Sequence, residues 1–366
     1  MTQPFRYPSS TNFMPVSTAY IIGYIRRPED FPMNRYIQLV QAPAPAFFYT
    51  QLDRDQSLRI RNIDEFLFAD GADRPQTKAN QFGFREQQCF TVRYDFATSI
   101  GNQALQQAEK QWNAKQVYLQ GLASQAMLAR TINLWQGSPS AAGAGAWLGL
   151  DTVSMWPSTN TSDANTLNGG AGTWATASDD PTNANYLAIR KSLLAAVQTI
   201  FAQTNGRVKW EDLRLVVSPT LARTMISTPE LYNYIRQTEW AVDKIEKDGK
   251  NLNARFGLPP ELYGLEVVVE DTPYLNDLPV ASQTAGSTSR SFVKADNKAV
   301  IMSRPGKLDS QVGPSFSTVQ VYWYEHQMQV FEYNDPINLK TQMHVTDQYV
   351  PVLPAGESGF LITGCL

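Results

Sequence analysis

The clearest periodicity in the chain runs from Asn102 to Leu134, where Leu105, Ala108, Trp112, Leu119, Leu122, Ala126 and Ala129 recur at steps of three and four with no proline among them. That spacing predicts one long helix, which at about 1.5 Å per residue extends on the order of 50 Å. Gly121 lies inside it, at about 1 kcal/mol relative to alanine, and marks a place for a bend or a close packing partner. Near the C-terminus the period changes to two. Ile337, Leu339, Thr341, Met343 and Val345 alternate with Asn338, Lys340, Gln342, His344 and Thr346, Ser317 to Tyr333 reads as a long partner strand, and Asn334-Asp335-Pro336 supplies the turn of a hairpin. At about 3.3 Å per residue the longer arm reaches roughly 50 Å, so helix and hairpin can pack along each other.

Between these long elements the pattern alternates strand and helix. Asp180-Pro181 combines a capping residue with a first-turn proline, and Tyr186, Ile189, Leu193, Val197, Ile200 and Phe201 make one face before Asn205-Gly206. That predicts a helix of about 22 residues. Leu213 to Val217 reads as a buried strand, Ser218-Pro219 and Thr228-Pro229 each open a short helix, and Leu265 to Glu270 and Ala299 to Met302 are further strands. The order predicts a compact α/β unit over about 183–305.

The remaining segments lack a core of their own. Residues 1–50 are broken by Pro15, Pro28, Pro32, Pro43 and Pro45 and read as an extended arm that needs another surface to lie on. Residues 51–96 alternate at both ends, Leu58 to Arg61 and Phe90 to Phe96, around a turn-forming Asp70-Gly71-Ala72-Asp73-Arg74-Pro75, which predicts a long two-stranded excursion. The stretch Gly137 to Asp180, rich in Gly, Ala, Ser, Thr and Asn with isolated Trp147, Trp156 and Trp174, reads as loop and short strand.

Composition narrows the function classes. With 366 residues, 43% hydrophobic and 18% charged, the chain has material for two or three packed units and is not disordered. Thirty-one basic residues nearly cancel 34 acidic ones, so no strong field favours nucleic acid or anionic lipid. Cys89 and Cys365 are the only cysteines, neither a disulfide framework nor a zinc spacing, and a reducing cytosol fits best. The densest early apolar run, Ala19 to Ile25, contains Gly23 and stops at Arg26-Arg27, so neither a signal peptide nor a membrane span is expected.

Candidate chemistry is sparse. A three-residue turn places His326 opposite His344, and a two-residue turn pairs His344 with Glu325 instead; the first register offers a metal two ligands and no evident third, so polar strand contacts are the simpler reading. Gly143-Ala144-Gly145 has its next glycine at 149 and no preceding strand, unlike a dinucleotide loop. Glu261, Glu266, Glu270 and Asp271 could supply a glycosidase carboxylate pair, against the bland reading of solvated faces. Asp243 to Lys250 reads as an exposed tip or an intersubunit contact. Arg59, Arg61 and Arg85 on the excursion either meet acidic groups of a neighbour or keep an edge soluble. Cys89 reads as a small apolar strand residue and Tyr322-Trp323-Tyr324 as sheet packing. No cofactor, metal or catalytic residue is expected.

The element order, arm, two-stranded loop, long helix, α/β unit and terminal hairpin, resembles that of a tailed-bacteriophage major capsid protein with the Hong-Kong-ninety-seven type fold. The likeness is carried by Phe82 to Leu134, by the strand, Ser-Pro and helix of Leu213 to Leu231, by Gly264 to Asp271, and by Ala299 to the end, including Val350-Pro351-Val352-Leu353-Pro354 and Gly359-Phe360-Leu361-Ile362. It covers about two thirds of the chain, through patterns rather than an invariant signature. It implies an α+β fold with an N-terminal arm (1–50), an E-loop (51–95), a P-domain built of the spine helix 102–134 within 96–182 and of the long sheet 306–354, and a mixed α/β A-domain (183–305) to which 355–366 returns. It further implies a non-enzymatic shell subunit that assembles with copies of itself as pentamers and hexamers around double-stranded DNA, in the virion, after assembly in the host cytoplasm. Portal, scaffolding and decoration proteins are the implied partners. Some relatives crosslink a loop lysine to a neighbour's asparagine, and Lys78 is the lysine of this excursion. An encapsulin-type compartment subunit resembles the same fold and is the alternative.

Overall fold

The computed structural model describes residues 26–52, 84–109, 114–137, 147–170, 172–237, 256–276, 289–304 and 317–366. It is an α+β molecule built on two sheets. In chain order the elements are α1 (Met33–Tyr36), β1 (Gln38–Gln41), β2 (Ala46–Leu52), β3 (Phe84–Phe90), β4 (Val92–Gly101), α2 (Asn102–Glu109) and α3 (Ala114–Gln136). There follow β5 (Thr161–Asp163), α4 (Ala164–Leu167), α5 (Ala188–Gln203), β6 (Leu213–Val217), α6 (Pro219–Ser227), α7 (Pro229–Gln237), β7 (Glu261–Leu262), β8 (Leu265–Val269), β9 (Pro273–Asn276) and β10 (Ser289–Phe292). The chain closes with β11 (Ala299–Ser303), β12 (Gln320–Trp323), β13 (Gln329–Asp335), β14 (Lys340–Val352) and β15 (Phe360–Thr363).

The first sheet is organised by β14, which pairs along one edge with β12 and β13 in succession and along the other with β4. β1 adds to β12 in parallel. Helix α3 lies on this sheet through Leu122 and Ala126 against Met343 and Val345, so helix and ribbon do pack along each other, although the packed helix is Ala114–Gln136 rather than the whole of 102–134. The partner of β14 is not one strand, however. It breaks at 324–328, where Glu325 and Met328 take φ of 51° and 50°, and the turn falls at 336–339, pairing Asp335 with Lys340. His344 therefore faces Phe331 in register, neither His326 nor Glu325. The physical reason is the Asp335 carboxylate, which accepts from Ile337 N and Asn338 N, each at 3.1 Å, and so shifts the turn past Pro336.

The second sheet has the order β5-β15-β11-β6-β8-β7. Its central strands read Leu-Arg-Leu-Val-Val, Leu-Glu-Val-Val-Val and Ala-Val-Ile-Met-Ser, near-continuous apolar runs because both faces are covered. One face packs Leu215, Val217, Val267, Ile301 and Phe360 on Leu193, Val197 and Ile200 of α5 and on Leu221 and Met225 of α6. The other face, with Val216, Val268, Val300, Met302 and Leu361, packs on Met33, Tyr36 and Ile37, on Trp135 at the end of α3, and on Leu150 and Trp156. Met33, Tyr36 and Ile37 of the arm thus find a surface on their own chain. The isolated tryptophans of the Gly-rich stretch are core anchors: Trp147, Trp156 and Trp174 are all buried.

The ends of α3 and α5 show how distant segments complete helices. Leu150 N and Asp151 N donate to the Leu134 and Trp135 carbonyls at 3.0 and 3.1 Å, closing the C-terminus of α3. Gly149, at φ 89°, permits this approach, since a Cβ there would meet the Trp135 carbonyl oxygen. Helix α5 starts at Ala188, seven residues later than Asp180-Pro181 predicts. Asp180 instead closes a local turn onto Thr182 N at 2.9 Å, and the N-terminus of α5 is capped from outside by Glu230, which accepts from Ile189 N at 3.0 Å and Arg190 N at 2.9 Å. The helix openings at Ser218-Pro219 and Thr228-Pro229 and the end at Asn205-Gly206 fall where the sequence places them. Within Asn102–Gln136 the described residues form α2 and α3, and Gly121 faces open space, so close packing is not its reason.

Glu270, just beyond β8, is fully buried. Its carboxylate takes hydrogen bonds from Tyr36 and Thr272, and Tyr36 in turn accepts from Trp135 Nε1 at 2.8 Å. This chain joins the N-terminal segment, the end of α3 and the second sheet. Burial raises the Glu270 carboxyl above its ordinary value near 4.5, outweighing the hydrogen bonds from Thr272 and Tyr36. The folded state then holds a proton that the unfolded chain releases, so this contribution is complete below about pH 4.5 and is lost as pH rises through the folded value. Burial raises Glu230 in the same direction. We expect Glu270→Gln to flatten the fall in stability between about pH 5 and pH 8. Urea midpoints at the two pH values test this, and an unchanged difference between them contradicts it.

Candidate functional site

Among the described residues, two elements group several exposed apolar side chains beyond these cores. The first is the ribbon β2–β3, with Ala46 opposite Phe90 and Leu52 opposite Phe84. Side chains alternate across it. Phe47 turns inward and meets the Tyr322 ring at 4.8 Å, while Phe48, on the opposite face, is 64% exposed and Phe90 stands beside it, also exposed. The ribbon begins at Ala46, earlier than the expected excursion. Phe90 to Phe96 is not one strand: the run divides at Thr91, whose N–H donates to the Pro45 carbonyl at 2.9 Å, and Val92 onward joins the β14 sheet. An isolated two-stranded ribbon is marginal in water.

The second element is the end of the β13–β14 hairpin. Val330, Phe331 and Tyr333 are exposed along β13, Leu339 is 66% exposed and Ile337 is 89% exposed. The turn that presents Ile337 is held by the Asp335 carboxylate, which also accepts from Asn338 Nδ2 at 2.6 Å. These hydrogen bonds keep Asp335 below the usual carboxylate range, the Asn338 side chain contributing most. The turn is therefore held by its own hydrogen bonds, and a contact made through it would cost little ordering. Exposed apolar groups gathered on protruding elements are the mark of an interaction surface.

The residues singled out in sequence for chemistry do not converge. Arg59, Arg61 and Lys78 lie outside the described residues, as do Gly143-Ala144-Gly145 and Asp243 to Lys250; Arg85 lies on β3 opposite Gln51. His344 Nδ1 is 2.9 Å from Asp95 Oδ2, and Thr346 donates to Asp95 Oδ1 at 3.0 Å. Burial works to raise Asp95, but these bonds outweigh it and leave its carboxyl low. His326 pairs with Gln329. Among the described residues no group of three His, Cys, Asp or Glu could hold a metal ion. Of the four acidic candidates, Glu270 is buried, Asp271 pairs with Arg26 at 2.8 Å, and Glu266 is held by Arg35 and Arg214. Glu261 and Glu266 are register partners beside a shallow depression of about 630 Å³. Both oxygens of Glu266 are engaged by guanidinium groups, so neither is free to meet a substrate. Cys89 and Cys365 are raised by burial to about 11 and about 12, so both thiols stay protonated and unreactive.

Sequence reading missed the buried charges. Arg130 and Asp347 are almost wholly buried and pair through two guanidinium nitrogens at 2.6 to 3.1 Å. Lys294 pairs with Asp151 and lies 4.5 Å from the Trp135 ring centroid. A signal was present for the first pair: Arg130 is four residues from both Ala126 and Leu134 on the apolar helix face, and Asp347 follows Met343 and Val345 on the inward strand phase. No comparable periodicity marks Lys294 or Asp151, which sit in irregular segments.

No protein-family model and no curated protein sequence matches the chain. Solved structures do match. A phage-related protein from Bordetella bronchiseptica RB50 is 14% identical, aligned over 98% of this chain and 99% of its own, with a TM-score of 0.54. A Mycobacterium phage Ogopogo structure is 13% identical over 90% and 91%, with a TM-score of 0.49. The capsid of Ralstonia phage GP4 is 11% identical over 87% and 82%, with a TM-score of 0.48. The Bordetella likeness shows a shared fold along nearly the whole of both chains. Among the described residues no helix is long and apolar enough to cross a membrane.

Proposed function

We propose that the chain is a shell-forming subunit, the major capsid protein of a tailed bacteriophage, and that its work is mechanical. The observation that carries this reading is the pairing of two filled cores with two outward apolar elements, the β2–β3 ribbon and the β13–β14 tip. A subunit that tiles a closed surface needs extended parts that become buried on neighbours, because compact faces alone bury too little area. The fold shared with a phage-related protein supports the same assignment. In this reading 1–50 is the arm, 51–95 the E-loop, 96–182 and 306–354 the P-domain, and 183–305 with 355–366 the A-domain. Pentamers and hexamers close the shell around double-stranded DNA, and the near-neutral charge of the chain suits a wall that must not trap it. Portal, scaffolding and decoration proteins would be its partners in the virion, with assembly in the host cytoplasm.

The double substitution Ile337→Asp and Leu339→Asp tests the reading without disturbing either core. Both side chains are solvated in the single chain, and Asp tolerates the left-handed backbone that Leu339 adopts at φ 49°. The expected result is an unchanged melting temperature with loss of closed particles in electron micrographs. Wild-type particles from this variant would remove the tip from the assembly surface.

A further inference from the structure

The two buried ion pairs differ in what their cations can do. Arg130 meets Asp347 with a delocalised guanidinium, which keeps its charge and is no nucleophile. Lys294, between β10 and β11, instead brings a primary amine to Asp151, which follows α3 and lies 143 residues away in the chain. Their side chains are 0% and 11% exposed. By contrast, Lys115–Glu332 and Lys209–Glu211 stand in solvent, where water solvates the amine and reverses any condensation. The surroundings of Asp151 suit carbonyl chemistry. Its Oδ1 faces Lys294 Nζ, and its Oδ2 accepts from Ala295 N at 2.8 Å. Lys298 Nζ donates to the Asp151 main-chain carbonyl at 2.6 Å, so a second ammonium lies beside the same residue. The Trp135 ring, 4.5 Å from Lys294 Nζ, closes the site on that side. A backbone N–H fixed on one carboxyl oxygen is the donor that a developing oxyanion requires, and the nearby ammonium adds to its field.

We propose that Lys294 and Asp151 condense to an amide, a covalent staple inside the subunit. Within the pair the ammonium passes one proton to Asp151 Oδ1. The freed Nζ attacks Cγ, and the charge that develops on Oδ2 rests on the Ala295 N–H. A second proton then moves from Nζ to Oδ1, the Cγ–Oδ1 bond breaks, and Oδ1 leaves as water. Three protons on the ammonium become one on the amide and two on the water, so no further reactant enters. Contact between amine and carboxyl makes the step intramolecular, which is worth a large effective concentration. Asp151 keeps enough exposure to let the water out. The product also replaces two charges in a dry site by one neutral amide, removing their desolvation cost. It ties the end of α3 to the approach to β11, across the face of the second sheet that Trp135 covers. This bond forms within one chain, so it stands or falls independently of the shell reading.

Intact-mass spectrometry of the purified chain, denatured and reduced after folding, reads the bond directly. The wild type is expected about 18 Da below its sequence mass, the loss of one water. Trypsin should release 131–190 joined to 291–298 as one branched product, because an acylated Lys294 is not cleaved. Lys294→Arg keeps the charge and lacks the nucleophile. It should show its full sequence mass and run more slowly than the wild type on a denaturing gel, since its unfolded chain is not closed into a loop. An ordinary buried ion pair would leave both proteins at their sequence masses with equal mobility. A wild type at full mass overturns the proposal whether or not the variant folds. A missing water that persists in Lys294→Arg, or that maps to peptides other than these two, overturns it as well.

Discussion

Replacing Asp347 by alanine is expected to destabilise the unassembled subunit by about 3–5 kcal/mol, one of the two largest single losses in the molecule. The carboxylate is fully buried between α3 and β14, and it receives both Nη2 and Nε of Arg130. Burial raises Asp347 above the ordinary aspartate range, while Arg130 and the Met328 N–H pull the other way. An arginine side chain keeps its charge in a protein. Removing its partner therefore strands a charge in the core, with only the Tyr349 ring, 5.0 Å away, to face it. Asp347→Asn, which keeps the shape and loses the charge, should be nearly as damaging. Arg130→Met combined with Asp347→Leu should recover most of the loss, because two apolar groups of similar volume carry no desolvation cost. Urea unfolding of the three variants separates charge from shape. A double variant as unstable as Asp347→Ala would show that volume, not charge, controls this site.

Trp135→Ala is expected to cost about 3–5 kcal/mol for a different reason. Trp135 has no solvent exposure and joins three parts of the chain. Its indole N–H donates to Tyr36 of the N-terminal segment, its ring lies 5.8 Å from the Tyr36 ring, and Lys294 lies over its face. Truncation opens a cavity and leaves the Tyr36–Glu270 pair without its outer donor. Trp135→Phe, which keeps most of the ring and loses the donor, should cost about 1–3 kcal/mol. Hydrogen exchange adds a spatial readout: amides of 31–37 should lose protection in Trp135→Ala beyond the global loss, because the segment is held through Tyr36. Uniform loss across the molecule would contradict that coupling.

Both regular periods of the chain were legible before its structure. The three-four spacing of Leu122 and Ala126 placed them on the sheet, and the inward phase of Met343 and Val345 placed those strand residues under the helix. The Ser-Pro and Thr-Pro signals fixed two helix starts because proline fills the first turn at no hydrogen-bond cost. What escaped was non-local. Helix α5 starts where a carboxylate 40 residues away caps it, and no window around Asp180 contains Glu230. The hairpin register depends on an Asp335 side chain that competes with Pro336 for the turn. The arm reads as unpartnered because proline count reports only the missing donors, whereas Met33, Tyr36 and Ile37 find their surface on strands more than 170 residues later. Of the proposed assembly surface, the alternation of Ile337 and Leu339 was visible, but a strand pattern alone assigns alternate residues to a buried face. Only the turn position shows that both extend past the end of the sheet.

Electron microscopy of the purified protein across a concentration series is the most direct measurement, because everything functional follows from burial that one chain cannot supply. The account predicts that single subunits give way to closed particles of uniform size as concentration rises, with the β2–β3 ribbon and the Ile337 tip covered in the particle. A chain that stays monomeric at every concentration, with both elements still solvated, would contradict it.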